Sequence, residues 1–162
     1  MESTLMKYEA LSASQRSQVQ QIELLDEQKT TFGDIHGALH GLTARPFPDI
    51  QGYVLLVEDV PRGFFLLKRR TLLPAWAQGR TATLHALIID HRYQGLGLGH
   101  TCLRLLPTVV SDLWPEIEQL MLTVHPTNHA ALALYQAAGW AFSDDTVIAA
   151  AGFERRMVRR LP

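Results

Sequence analysis

The chain of 162 residues is short of several things, and each shortage removes a class of explanation. It has a single cysteine, Cys102, so neither an internal disulfide nor a cysteine-based zinc site can be built. Its formal net charge is -1, which gives no electrostatic reason to expect a nucleic acid or an anionic membrane as partner. No apolar run approaches the roughly 18 residues of a spanning helix. Met1 to Ala10 lacks the basic-then-apolar layout of a signal peptide, so a cytoplasmic protein is expected. Internal repeats and low-complexity tracts are missing too. With 47% apolar and 19% charged residues, the composition fits a packed globular chain and not a disordered one. The length suits a single domain over 1–162.

What is present is an ordered succession of β-rich and helical patterns. Leu5 to Leu11 reads as a first strand, and Ser12 or Ser14 can cap a helix with Val19 and Ile22 on its apolar face. Asp34 can cap a second helix, Ile35 to Leu42, before Arg45-Pro46-Phe47-Pro48 stops it. Gly52 to Glu58 and Gly63 to Arg70 form a hairpin across Asp59-Val60-Pro61-Arg62. Thr71 to Ala82 is a long connection, and Thr83 to Asp90 a third strong strand. From Leu98 the apolar residues Cys102, Leu105, Leu106, Val109, Val110 and Leu113 trace one helical stripe, with Pro107 predicting a kink or a helix in two pieces. Glu118 to Val124 (strand), Thr127 to Ala138 (helix), and strands near Ala141 to Thr146 and Gly152 to Val158 complete the order. Arg155, Arg156, Arg159 and Arg160 read as a solvated edge strand. The class is α/β with a mixed sheet.

Two segments carry chemistry. In the first, a strand runs into Gly95, Gly97 and Gly99 and then directly into a helix. Such glycines let backbone N–H groups approach and face a ligand, and at a helix N-terminus those donors favour an anion. A phosphate-bearing ligand is therefore expected. A Walker loop is excluded because Gly99-His100-Thr101 has no lysine, and a dinucleotide fingerprint because position 100 is histidine. In the second segment, Asn128, Ala131 and Tyr135 are spaced three and four apart, so they share one helical face beside which a ligand could lie.

Together the two segments resemble the GNAT acetyltransferases. Gln94-Gly95-Leu96-Gly97-Leu98-Gly99 is similar to that family's pyrophosphate loop, with Tyr93 in its usual aromatic position. A register starting at Arg92 also fits. Asn128, Leu134-Tyr135 and Gly139-Trp140 match its second segment, with Trp for Phe, and the element order covers essentially the whole chain. The resemblance implies a GNAT fold, with a mixed, mostly antiparallel sheet of about seven strands and about four helices. It implies acetyl-CoA as cosubstrate and no metal. Backbone groups around Leu87, Ile88 and Ile89 would hold the pantetheine arm like an added strand. Amides from Gln94 to His100 would bind the pyrophosphate, with Asn128 and Ala131 beside the pantetheine. Tyr135 would sit at the thioester sulfur as general acid.

A base must free the attacking amine. Strand alternation puts Thr83, His85, Leu87 and Ile89 on one face, so His85 lies two steps from the pantetheine residues. Leu84-His85-Ala86-Leu87 resembles the same strand of the serotonin (arylalkylamine) N-acetyltransferases, where a histidine serves proton removal, which makes His85 the candidate base. That group has a further histidine two residues earlier, where this chain has Thr83. His36 and His40 are four apart but lack a third ligand, so metal is not expected, and Cys102 lies on the buried stripe as a core thiol. For the acceptor, Asp26 and Asp34 offer negative charge, and Phe32 and Trp76 apolar walls. Asp90-His91-Arg92-Tyr93-Gln94-Gly95 is similar to bacterial polyamine acetyltransferases. A small primary amine, arylalkylamine or polyamine-like, is the expected acceptor. A protein N-terminus or lysine, an aminoglycoside, or a non-catalytic acyl-CoA sensor are the other readings. Relatives often dimerise, which leaves a homodimer open.

Overall fold

The computed structural model describes residues 2–23, 35–44, 48–149 and 152–162. Among these residues the elements run β1 (Ser3–Lys7), α1 (Ala13–Val19), α2 (Ile35–Ala44), β2 (Ile50–Val57), β3 (Val60–Arg69), β4 (Thr81–Ile89) and α3 (Leu98–Leu113). They continue with β5 (Gln119–Val124), α4 (His129–Ala137), β6 (Ala141–Ala149) and β7 (Gly152–Arg160). The strands form one sheet in the order β1-β2-β3-β4-β5-β7-β6. Neighbours are antiparallel except β4 and β5, which run parallel. Among the described residues, the mixed, mostly antiparallel sheet of seven strands and the four helices agree with the expected architecture.

Each face of the sheet buries its own apolar cluster. One, beneath α3 and α4, holds Leu55, Phe65, Leu67, Leu84, Leu106, Val110, Leu120 and Leu122. The other, beneath α1 and α2, holds Val19, Ile35, Leu39, Val54, Phe64, Leu66 and Ile88. β2 and β3 serve both clusters and are buried on both sides along most of their length, so they read as apolar runs without alternation.

Local chemistry sets most boundaries. Ser12 and Gln15 form a reciprocal capping box, with bonds of 3.1 and 3.0 Å, and start α1. The first strand stops at Lys7 instead of reaching Leu11, because Tyr8–Ala10 coils into a 3-10 turn. Glu58 and Asp59, both at positive φ, close the β2–β3 hairpin as a two-residue turn. Pro61 is accommodated in β3 at a register shift opposite Leu55 and Leu56. Pro107 does not divide its helix: α3 is continuous from Leu98 to Leu113. A mid-helix proline costs about 3 kcal/mol. The burial of Leu98, Cys102, Leu103, Leu106 and Val110 along that helix offsets it, at about 1.5–3 kcal/mol for each large side chain.

The arginine-rich last strand is not an edge. β7 lies between β5 and β6. Arg155 covers the Phe142 ring at 3.5 Å, and Arg156 donates to Ser143 Oγ at 2.9 Å and to the Trp76 carbonyl at 2.8 Å. Long cationic stems make cross-strand contacts here that composition alone could not reveal.

Candidate active site

The parallel pair β4–β5 holds together only at Thr81↔Gln119, Ala82↔Leu120 and Thr83↔Met121. Beyond Thr83 the strands part, and a cleft of about 1030 Å³ opens between them. Ala86, at φ +55°, is the reason β4 changes course. Between the pairs Leu66↔His85 and Phe64↔Ile88, two residues of β4 oppose the single Phe65 of β3, which is a β-bulge.

The bulge corrects the expectation that Thr83, His85, Leu87 and Ile89 share a face. Leu84, Leu87 and Ile89 pack with the cluster under α3 and α4. Ala86 and Ile88 pack with the opposite cluster, to which Leu66, the cross-strand partner of His85, also belongs. His85 therefore lies on the other face of the strand from Leu87 and Ile89, although all three line the cleft. Ile88 is fully buried away from it.

Above β4 the chain enters the glycine loop. Gly95 and Gly97 adopt φ of +82° and +78°, and Gly97 is the N-cap of α3. A Cβ at either would meet nothing within 4 Å, so conformation and not space calls for glycine there. Gly99 differs: a Cβ would come within 3.2 Å of Leu134, so its role is close packing of α3 on α4. Gly95, Gly97, Leu98, Gly99 and His100 line the cleft, whereas Leu96 points outward and is 55% exposed. The preceding turn is firmly held. Asp90 is fully buried and accepts from Arg92 Nε at 3.0 Å and Nη2 at 2.6 Å. Burial pushes the Asp90 carboxyl up, but the Arg92 hydrogen bonds and charge outweigh it and hold it below the usual carboxylate range. Arg92 also donates to the Gln21 carbonyl at 3.0 Å, and Gln94 Nε2 to the Ile89 carbonyl at 2.9 Å. Such anchoring leaves the amides at the start of α3 fixed before any anion arrives.

The opposite wall is α4. Asn128 is its N-cap, with Oδ1 accepting from the Ala131 amide at 3.2 Å, and so stands just ahead of the helix instead of on its face. It still lines the cleft with Ala131 and Tyr135. The Tyr135 ring sits 5.7 Å from that of Trp140. Burial first, then the neighbouring Cys102 thiol, push the Tyr135 phenol above its ordinary range, so it keeps its proton.

His85 Nε2 lies 2.7 Å from Thr83 Oγ1, the position where a two-histidine relay would need its second imidazole. Burial, and then the Lys68 ammonium, push the imidazole down to about 3, so it is neutral at physiological pH. Trp76 tilts at 45° to it with ring centroids 6.2 Å apart, and lines the same cleft. Asp26, Phe32 and Asp34 lie outside the described residues. The cleft contains one carboxylate that the sequence did not single out: Glu154 of β7, 9% exposed. It had no signal of its own, since a lone glutamate in an arginine-rich strand gives none. Among the described residues, no group of three or more His, Cys, Asp or Glu could hold a metal, and no helix is long and apolar enough to cross a membrane.

Known proteins share this fold. The model of the Acetyltransferase (GNAT) family matches residues 19–140, which include the glycine loop and α4. An uncharacterized N-acetyltransferase, YbbJ, of Bacillus subtilis is 30% identical over 89 residues, 54% of this chain and 56% of its own length. The match thus spans little more than half of that relative. Among solved structures, AAC(6')-Ib in complex with paromomycin and acetyl-CoA superposes with a TM-score of 0.75 at 16% identity, over 99% of this chain and 94% of that one. The spermidine N-acetyltransferase of Vibrio cholerae, with CoA and spermine, does so with a TM-score of 0.69 at 16% identity, over 98% and 95%. Sharing that fold, and matched by the family's model through the loop and helix that wall its cleft, the chain belongs to the GNAT acetyltransferase family.

Proposed function

We propose that the chain, acting as one domain, transfers an acetyl group from acetyl-CoA to the primary amine of a small molecule. The observation that carries this reading is the parting of β4 from β5 between two prepared walls. On one side stand the fixed amides of Gly95 to His100, on the other the protonated phenol of Tyr135. The loop suits a pyrophosphate, and the edge of β4 that no longer pairs with β5 beyond Thr83 suits an extended pantetheine arm laid alongside it as a strand.

The amine nitrogen, deprotonated, attacks the thioester carbonyl carbon and forms a C–N bond. The tetrahedral oxyanion then collapses, breaking the C–S bond and releasing CoA thiolate. Tyr135 supplies the thiolate's proton. His85 is uncharged when the amine arrives and so can accept a proton, directly or through water. Its depressed basicity makes it a poor partner for the free ammonium. It is better matched to the attacking nitrogen after bonding to carbon has begun, when that nitrogen becomes far more acidic. With Nε2–H donating to Thr83 Oγ1, the ring is fixed and Nδ1 keeps the lone pair that this exchange needs.

Support for a small cationic acceptor comes from two neighbours that are complexes with paromomycin or spermine, together with acetyl-CoA or CoA. The decisive experiment is calorimetric titration with acetyl-CoA, followed by thiol release on a panel of small amines. Binding with amine-dependent thiol release supports the reading. Binding without release on any small amine, but with release on a peptide, would replace the acceptor class. No binding would end the proposal.

A further inference from the structure

We infer that Glu154 selects the acceptor by binding a second positive charge on it, so that the substrate is a diamine or a longer polyamine and not a monoamine. This rests on the acyl-transfer reading above and deepens it. Glu154 is 9% exposed, lines the cleft, and its carboxylate has no hydrogen-bond or ion-pair partner among the described residues. Its oxygens are not among the fully buried unpartnered side-chain atoms of the described residues, so they face the open cleft, where a ligand cation can supply the counter-charge. The protein's nearest cation along the same strand face, Arg156, directs its Nε to Ser143 Oγ and its Nη1 to the Trp76 carbonyl. A ligand ammonium entering the cleft would meet Glu154 as its counter-charge.

Register places this charge away from the reacting nitrogen. β4 and β5 last pair at Thr83↔Met121, and β5 pairs with β7 at Thr123↔Arg156. His85 is two residues beyond Thr83, level with Thr123 and Arg156. Glu154 is two residues farther along β7, or about 6–7 Å, and on the same face as Arg156. A carboxylate touching the reacting nitrogen would hold its proton on and oppose attack. One displaced along the strand from His85 instead holds a distal ammonium and leaves the reacting amine at His85 and Tyr135. Trp76, tethered by Arg156 and facing His85, is the wall along which the connecting methylenes lie.

The test compares α,ω-diamines with n-alkylamines of equal length, both as substrates and in equilibrium binding to the CoA-saturated protein. Wild type favours the diamine by about ten- to a hundredfold in kcat/KM, the effect of one charge-assisted contact. Glu154→Gln brings that ratio to near one, mainly by raising the diamine KM, with acetyl-CoA affinity retained as evidence of folding. Glu154→Asp keeps part of the preference. A diamine preference that survives Glu154→Gln, or no preference in wild type, overturns the inference while acyl transfer stands. Loss of acetyl-CoA binding in wild type would instead overturn the acyl-transfer reading beneath it.

Discussion

Replacing Gly97 by alanine tests the glycine loop where its geometry is most demanding. At φ +78° and ψ +15° the residue is left-handed, and a Cβ there touches nothing, so alanine brings conformational strain and no clash. The strain is about 1–2 kcal/mol, and the lost flexibility of the unfolded chain returns about 0.4–1 kcal/mol. The free protein can avoid part of the strain by relaxing the loop, but the anion-bound loop cannot. The cost must then appear either in stability or in affinity. In acetyl-CoA-saturated protein it appears whole, as about 1 kcal/mol net, or a melting point lower by about 2–4 °C for a chain of this size. If the free loop relaxes, acetyl-CoA affinity falls about 5- to 30-fold by calorimetry, the equivalent of the full strain. Gly97→Asn, with similar unfolded-state entropy but greater tolerance of this conformation, falls between alanine and wild type. Melting within a degree of wild type and affinity within twofold for Gly97→Ala would refute the claim that binding requires this backbone conformation. So would asparagine proving worse than alanine.

Other expectations follow from single side chains. Tyr135→Phe lowers kcat by about 10²–10³ in the thiol-release assay, with acetyl-CoA affinity retained. Cys102 is buried, and burial pushes its thiol up to about 12, so the native chain gives no background with a thiol reagent while the unfolded chain gives one equivalent. Rapid labelling of native protein would contradict that burial. Because His85 sits well below the ordinary histidine value of about 6.5, the unfolded state binds its proton first as pH falls. Stability is then lost below about pH 6.5, by at most about 2 kcal/mol by pH 5, and His85→Gln shows a flatter profile in urea titrations at the two pH values. Asn128→Ala removes the cap of α4 and costs about 1 kcal/mol, seen as a lower melting point, whereas Asn128→Asp keeps the cap.

Much of this site was legible in sequence because its parts are local. The cap at Ser12, the alternating glycines, and the stripe from Leu98 to Val110 each depend on neighbours within a few positions, and the structure places them where spacing predicted. The failures depend on partners far away in sequence. Pro107 predicts a kink or a helix in two pieces, and only the division fails, because its local cost is visible in sequence while the burial that offsets it is not. Arg155 and Arg156 read as part of an edge strand because Phe142, Ser143 and the Trp76 carbonyl are brought to them only by the sheet. Glu154 does not stand out in sequence from the hairpin around it for the same reason: its significance lies in lining a cleft whose other wall is formed some seventy residues earlier, at His85.

The bulge at Ala86 is the feature that joins these observations. Strict alternation would have put His85 beside Leu87 on the face where the pantetheine is expected, with donor and base competing for one surface. By inserting one residue against Phe65, β4 turns Leu87 and Ile89 toward α3 and α4 while His85 remains with Trp76 on the other side. The strand also loses its pairing to β5 beyond Thr83, which opens the passage between the two faces. One left-handed alanine at φ +55° thus separates the surface proposed for the cofactor from the surface proposed for the amine, and lets them meet only through the gap. Backbone strain of this kind costs about 1–3 kcal/mol and persists where surrounding structure enforces it, here the buried Phe64 and Ile88 pair on the neighbouring rung. A two-substrate reaction can bring its reactants in from separate sides, and a single irregular residue in this sheet would supply that geometry.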